Sequence, residues 1–272
     1  MNSNGFDSNF GSSSFSLEEN LHPQRTDTNY LKYSLPSCIS DLRLKFEIYP
    51  HALNIVHINA QSLLPKINHF RGVFSRLNVH IICIGETWLQ PDTDSRSVDF
   101  SGYNFFRKDR LGENEFDPRG GGVGAYVRKD LQVKKLKTSP ENYTNESCEF
   151  ISLKVNFLKQ KILVGVIYRP PKADKSFCMF SAALADLSPL YKHIIIAGDH
   201  NANLLSNKRE SRRLKKMYKK LGMTILDMKC THKSSILDLF AVRNIERVQM
   251  HGQIQAPQFS KHDMIYLSYS VH

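Results

Sequence analysis

No apolar run in this chain approaches the length needed to span a bilayer, and its Ser- and Asn-rich amino terminus lacks the apolar core of a secretion signal. Neither a membrane protein nor a secreted one is expected; an intracellular protein is. The cysteines, Cys38, Cys83, Cys148, Cys178 and Cys230, are odd in number and far apart, and no two form a CxxC pair. That pattern argues against a disulfide framework or a zinc ribbon and for a reducing compartment. No GK[ST] follows the glycine cluster Gly120 to Gly122, so a Walker phosphate loop is excluded. No internal repeat suggests a solenoid. Acid is in short supply: 26 Asp and Glu against 37 Lys and Arg leave a net charge of +11. Such a surplus attracts polyanions, nucleic acid before a phospholipid surface.

A length of 272 residues accommodates one large domain with a sizeable core. Residues 1–45 carry too little aliphatic content to offset the entropy of ordering them, and a disordered or loosely attached tail is expected there. Residues 46–272 are expected to form the domain. Within it, LNIVHINAQSL from Leu53 reads as a strand ending at Asn59, and KINHFRGVFSRL places Ile67, Phe70, Phe74 and Leu77 at helical spacing. VHIICIGETWL is a second buried strand, closed by Gly85 and Glu86. Strand, helix, strand is an α/β arrangement. A turn-rich segment, Gly112 to Pro118, leads through the three glycines to a strand from Val123 to Val127. CEFISLKV and KILVGVIYRP then read as a hairpin about Asn156 to Gln160, whose second strand stops at Tyr168, Arg169 and Pro170. A helix is expected from residue 177 to near Ser188. SRRLKKMYKKLG follows as a basic amphipathic helix with Leu214, Met217, Tyr218 and Leu221 on one stripe and Gly222 as its cap. A solvated face accounts for its charge at least as well as a nucleic-acid contact does.

The organising stretch is HIIIAGDHNAN, residues 193 to 203. Its β-branched run is a buried strand that delivers Asp199, His200, Asn201 and Asn203 at its carboxyl end. Alone, an Asx turn would explain it. Other strand ends add to the set: Asn59, Glu86, Tyr168, then Asp238 inside SSILDLFAV and His262 just before the final strand. An Asp in an apolar strand is costly unless paired, and His262 is the obvious partner. Taken singly, Tyr168 could be a sheet-edge aromatic and Asn59 a turn residue.

Taken in order, Glu86 after a strand, Tyr-Arg-Pro, Gly198-Asp199-His200-Asn201, Asp238 and His262 resemble the endonuclease/exonuclease/phosphatase superfamily. More narrowly, RGGGVGAYV at Arg119 to Val127 and GVIYRPP at Gly165 to Pro171 resemble the apurinic-type endonuclease domain of non-LTR retrotransposons. The resemblance implies a four-layer α/β sandwich, two β-sheets packed face to face with helices outside, and divalent-metal phosphodiester hydrolysis. It implies Mg²⁺, with Mn²⁺ as a substitute, at Glu86 and Asn59. Asp199 is expected to activate water with Asn201 holding it, His262 to donate a proton under the control of Asp238, and Tyr168 to contact the phosphate. It implies DNA as partner, a nuclear site of action, and a reverse transcriptase in the parent polypeptide that is absent from this chain. One departure stands out: the family's Ser-Asp-His reads Ser260-Lys261-His262 here. The alternative is therefore a weakened or inactive nucleic-acid-binding remnant, and a phosphatase of the same superfamily is a lesser one.

Overall fold

The computed structural model describes residues 35–110, 120–140, 148–171, 173, 177–255 and 260–272. Its first element is α1 (Leu35–Ile48), followed by β1 (Leu53–Asn59), α2 (Ile67–Phe74) and β2 (Ile81–Gly85). Next come β3 (Tyr103–Lys108), β4 (Val123–Arg128), β5 (Gln132–Thr138), β6 (Glu149–Phe157) and β7 (Gln160–Tyr168). Then α3 (Cys178–Leu187), β8 (His193–Asp199), α4 (Arg209–Lys220) and β9 (Thr224–Ile225) alternate. β10 (Asp238–Val242), β11 (Val248–Ile254) and β12 (Met264–Tyr269) follow. The turn-rich segment Gly112 to Pro118 and Arg119 of the glycine motif lie outside the described residues.

Two six-stranded sheets result, ordered β11-β12-β1-β2-β4-β3 and β5-β6-β7-β8-β10-β9. Each is built round one parallel pair, β1 with β2 and β7 with β8. Parallel neighbours need a crossover, which α2 supplies in the first sheet and α3 in the second. The alternation of side chains along a strand then divides each apolar run between two cores. Leu53, Ile55, Ile81 and Cys83 face Val164, Val166, Ile195 and Ala197 between the sheets. Val56, Ile58, Ile82 and Ile84 point outward to Phe70 and Phe74 of α2, and Leu163, Ile167, Ile194 and Ile196 to Phe180, Leu184 and Leu214 of α3 and α4. The molecule is a four-layer α/β sandwich, helices on both outer faces. Both faces of the central strands are buried, which is why their sequences read as unbroken apolar runs.

The tail expected over residues 1–45 is too long at its carboxyl side, because α1 begins at Leu35. Ile39, Leu42 and Phe46 are buried against the first sheet. At about 1.5–3 kcal/mol per buried large apolar side chain, three such anchors suffice to dock a helix that leaves Leu44 and Ile48 in solvent. Residues 1–34 lie outside the described residues.

The hairpin between β6 and β7 turns at Leu158 and Lys159, with φ of 46° and 64°, the backbone of a two-residue turn whose twist matches the strands. In α4 the stripe Leu214, Met217 and Tyr218 is buried while Arg212, Arg213, Lys215, Lys216, Lys219 and Lys220 face solvent. Gly222 closes it at φ +64°. Among the described residues, no helix is long and apolar enough to cross a membrane.

Candidate active site

In both sheets the parallel pair runs toward the same edge of the molecule, so the groups at its strand ends converge. Asn59 lies opposite Gly85, the residue before Glu86. In the second sheet Tyr168 lies opposite Asp199, and Asp199 opposite Asp238. The Asn59 amide spans the two sheets: its Nδ2 donates to Glu86 Oε1 at 2.8 Å and to Asp199 Oδ2 at 2.9 Å, while its Oδ1 accepts from the Gln61 N–H at 3.2 Å. Asn201 N–H donates to Asp199 Oδ1 at 2.8 Å, and its side-chain amide reaches Asp199 Oδ2 at 3.4 Å and the Arg169 carbonyl at 2.8 Å. Across the cleft floor, His262 Nδ1 donates to Asp238 Oδ2 at 2.8 Å and stands 3.9 Å from Asp199 Oδ2. Hydrogen bonds and close approach therefore join Glu86, Asn59, Asp199, Asn201, Asp238 and His262, and Tyr168 neighbours them by strand register.

The other polar residues of the organising stretch are turned away. His200 packs into the α4 layer, where Nδ1 donates to the Gly198 carbonyl at 3.0 Å and Nε2 accepts from Tyr218 Oη at 2.7 Å. Burial pushes it down to about 3, so it is neutral. Asn203 Oδ1 caps the N–H groups of Leu205 and Ile236, the Asx behaviour that alone would have explained the segment.

Burial governs the electrostatics. Asp199 is raised well above a normal carboxylate by burial first and by the charge of Asp238 second, against the pull of His262 and the amide donors. Burial would raise Asp238 too, but hydrogen bonds from His262 and His57 outweigh it and hold this carboxyl ionised. His262 loses hydration, yet the bond and charge of Asp238, then Asp199 and Glu86, lift it to about 9. One carboxylate is thus poised near its titration range and one imidazole is kept charged, an acid and a base pushed apart by their surroundings. Tyr168 is raised by burial and then by Glu86 and Asp199, so it stays a neutral hydroxyl.

Several groups here were given no role in the site by the sequence. His57, central in β1, places Nε2 at 3.2 Å from Asp238 Oδ1, so Asp238 is held from both sides. Thr231 Oγ1 accepts from the Asp238 N–H at 3.1 Å, and His232 stacks on His262 with ring centres 4.4 Å apart. Arg169 ties the loop after β8, donating from its backbone to Asp199 O at 2.9 Å and from its side chain to Asn201 O at 2.9 Å and Ala173 O at 2.8 Å. Only the alternation of strand faces could have pointed to His57, because it shares a face with Leu53 and Ile55.

The glycine cluster has a role in the same place. Thr87 and Trp88 donate their N–H groups to Gly122 O at 3.2 Å and Gly121 O at 2.9 Å, which holds the loop bearing Glu86. A Cβ on Gly121 would lie 2.2 Å from the Arg110 guanidinium, and one on Gly122 2.4 Å from Thr87 Oγ1. Arg110 in turn bonds the buried Glu149 at 2.7 Å, and Glu149 accepts from the Gly122 N–H at 2.7 Å. Close approach of backbone to this clamp, and φ of +71° and +80°, demand glycine at both positions.

Ligating atoms of Asp199, Asp238 and His262 lie within 4.8 Å of one another, a spacing that fits a divalent metal once the proton His262 Nδ1 donates to Asp238 is displaced. A two-sheet sandwich with this cluster at one edge, where β8 ends at Asp199, β10 begins at Asp238 and β12 is entered just after His262, is consistent with a metal-dependent nuclease active site. Residues 56–222 match the model of the Endonuclease/Exonuclease/phosphatase family, and the chain belongs to that family. No curated protein matches it in sequence. Among solved structures it is similar to the endonuclease domain of TRAS1, a telomere-specific non-LTR retrotransposon, at 16% identity and a TM-score of 0.61 over 81% of this chain and 99% of that one. It is similar to the AP endonuclease LMAP from Leishmania major at 15% identity and a TM-score of 0.66, over 88% and 96% of the two chains. A mannosyl-6-phosphatase of Bacteroides thetaiotaomicron resembles it at 11% identity and a TM-score of 0.56, over 79% and 98%. At these identities the likeness is one of fold.

Proposed function

We propose that the protein is a Mg²⁺-dependent endonuclease that nicks DNA, with Mn²⁺ able to replace Mg²⁺. The observation that carries this reading is the unbroken chain of contacts from Glu86 through Asn59 and Asp199 to His262 and Asp238. It sets a half-exposed carboxylate, a buried base and a charged imidazole around one cleft. DNA as substrate is supported by the net charge of +11 and by the RGGGVGAYV and GVIYRPP motifs.

The Glu86 carboxylate fits a hard cation: its side chain is half-buried at the cleft mouth, and its oxygens accept only from the side chains of Asn59 and Trp88 among the described residues. Glu86 would hold Mg²⁺, which when bound neutralises charge on the scissile phosphate. Asn59 sets the spacing of Glu86 and Asp199; its amide oxygen becomes a ligand only by giving up Gln61 and exchanging ends. Asp199 accepts the proton of the water whose oxygen bonds to phosphorus as the phosphorus–oxygen bond to the 3′ oxygen breaks, the departing 3′ oxygen takes its proton from solvent, and Asn201 fixes the Asp199 carboxylate. With Nδ1 committed to Asp238, His262 presents Nε2 and its proton to a non-bridging phosphate oxygen where negative charge grows. Tyr168 donates its hydroxyl to the same phosphate. The product 3′-hydroxyl would prime a reverse transcriptase in the nucleus, in the manner of a retrotransposon.

A second reading, a weak or inactive remnant that binds nucleic acid, is favoured by Lys261. Its side chain is exposed, and its backbone N–H bonds Gln61 Oε1 at 3.3 Å. Mg²⁺ titration of plasmid nicking separates the two. Wild type is expected to nick; Glu86→Gln should need roughly tenfold more Mg²⁺, the scale on which a lost ligand shell contact acts; Lys261→Asp should need less. Salt-sensitive DNA binding without metal-dependent nicking would favour the remnant.

The pH dependence follows from His262. A histidine raised on folding contributes stability fully below its unfolded value near 6.5 and loses it as pH rises through about 9. The charged form is also the working form, so nicking should decline through the same range. His262→Gln should flatten both the alkaline limb of the rate profile and the loss of urea resistance between those values; a wild-type limb unchanged in the variant would remove His262 from the mechanism.

A further inference from the structure

We propose that Trp88 is a platform on which a nucleobase beside the scissile phosphate stacks, an inference that rests on the nuclease reading and supplies its base-contacting surface. Trp88 is the chain's one tryptophan. It remains 37% exposed although it sits among buried neighbours, Thr87 and Leu89. Its indole N–H donates to Glu86 Oε2 at 3.1 Å, so the ring stands one hydrogen bond from the carboxylate assigned to the cation.

The ring is aimed by the backbone. Glu86 and Trp88 both adopt positive φ, 51° and 54°, a conformation that side-chain-bearing residues rarely take. Such strain persists only where surrounding structure imposes it, and it gathers at ligand sites. Here the imposing contacts are Ser62 N–H to Glu86 O at 3.0 Å, Leu63 N–H to Thr87 O at 2.9 Å and Trp88 N–H to Gly121 O at 2.9 Å. Extended backbone would set these two side chains on one face but roughly 7 Å apart, whereas the double kink brings carboxylate and indole within hydrogen-bond distance, at 3.1 Å. A tryptophan that merely covered the core would gain most by hiding its ring, and this one spends its polar atom on Glu86 and leaves ring surface in water. Every base offers a π-face once it leaves the helical stack, so a base frayed or turned out beside the scissile phosphate would be held without its sequence being read.

The test uses the full chain in EDTA, where no cleavage occurs. Because Trp88 is the sole indole, its emission reports the site directly. A 12-base-pair duplex is expected to quench that emission, and inorganic polyphosphate, which has the charge without the bases, is not. Trp88→Ala should weaken duplex binding by about tenfold, as loss of a base–aromatic stack does, while Trp88→Phe, which keeps a ring, stays within about threefold of wild type. Polyphosphate affinity should be the same in all three. Equal emission changes with duplex and polyphosphate, or equal duplex affinity in Trp88→Ala and wild type, would overturn the proposal. The emission comparison holds on wild type alone, whether or not a variant folds. Failure of the nuclease reading would show elsewhere, as equal plasmid nicking by wild type and Asp199→Asn.

Discussion

The Asp199→Asn variant is expected to nick supercoiled plasmid about a thousandfold more slowly than wild type, within the range by which positioned general bases accelerate reactions. The substitution keeps size and removes the proton acceptor. Its effect on stability should run the other way. Burial and Asp238 raise the Asp199 carboxyl on folding, so its contribution to stability is present below the ordinary carboxylate range and lost as pH climbs through the raised value. At pH 8 the ionised side chain is a cost, and an amide removes it, offset in part because the new amide N–H₂ cannot accept from Asn59. The unfolding midpoint should therefore hold or rise while the rate collapses. Equal nicking by the two proteins would refute the role, and a fall in rate matched by loss of the fold would leave Asp199 a structural residue. His262→Ala should cost about a hundredfold or more, the scale of losing one donor to developing charge. The double variant should fall short of the product of the two, because both act on one phosphate.

How much of this was legible depends on what each residue answers to. Strands β1, β2, β7 and β8 announced themselves, since burial on both faces leaves an apolar run that nothing else in a basic chain mimics. The candidate site residues stood out only as a set at the ends of such runs, because an Asx turn or a sheet edge would explain several of them singly. The polar edges were silent. β5 is Gln132-Val-Lys-Lys-Leu-Lys-Thr138, and its lysines suit an edge strand that must not pair with another molecule, yet no strand was expected there. α1 was lost for a different reason: its apolar residues fall on both faces, Leu44 and Ile48 in solvent, and only the first sheet, distant in sequence, gives Ile39, Leu42 and Phe46 something to cover. The Asp238–His262 pair was inferable from the cost of a lone buried acid. The second histidine on that acid, His57, and the clamp of Arg110, Glu149 and the glycines depend on which strands become neighbours, and one sequence does not state that.

The point where the apolar run of β8 stops carries the last prediction. Gly198 faces Ile167 of β7 in parallel register and Leu239 of β10 in antiparallel register, so its backbone is fixed from both sides. A Cβ there would lie 2.0 Å from the Ile167 carbonyl oxygen and 2.7 Å from Ile167 Cγ2. The oxygen belongs to the ladder itself and cannot rotate away, so Gly198→Ala must spread the parallel pair at its carboxyl end. Overpacking costs about 1–3 kcal/mol where side chains can yield, and a backbone clash belongs at or above the top of that range. In a domain of this size about 3 kcal/mol lowers the midpoint by roughly 6–12 °C. Gly72 of α2 is the contrast: a Cβ there meets nothing within 4 Å. Gly72→Ala is expected to leave the midpoint unchanged or raise it, by up to about 1 kcal/mol of helix propensity. Thermal unfolding of both variants decides, and a Gly198→Ala midpoint within about 2 °C of wild type would contradict the close packing of β7 on β8. The same displacement moves Asp199, the next residue, away from Asn59. Nicking by the folded fraction of Gly198→Ala should therefore fall further than the stability loss explains, because the strand that makes the fold is also the arm that holds the base.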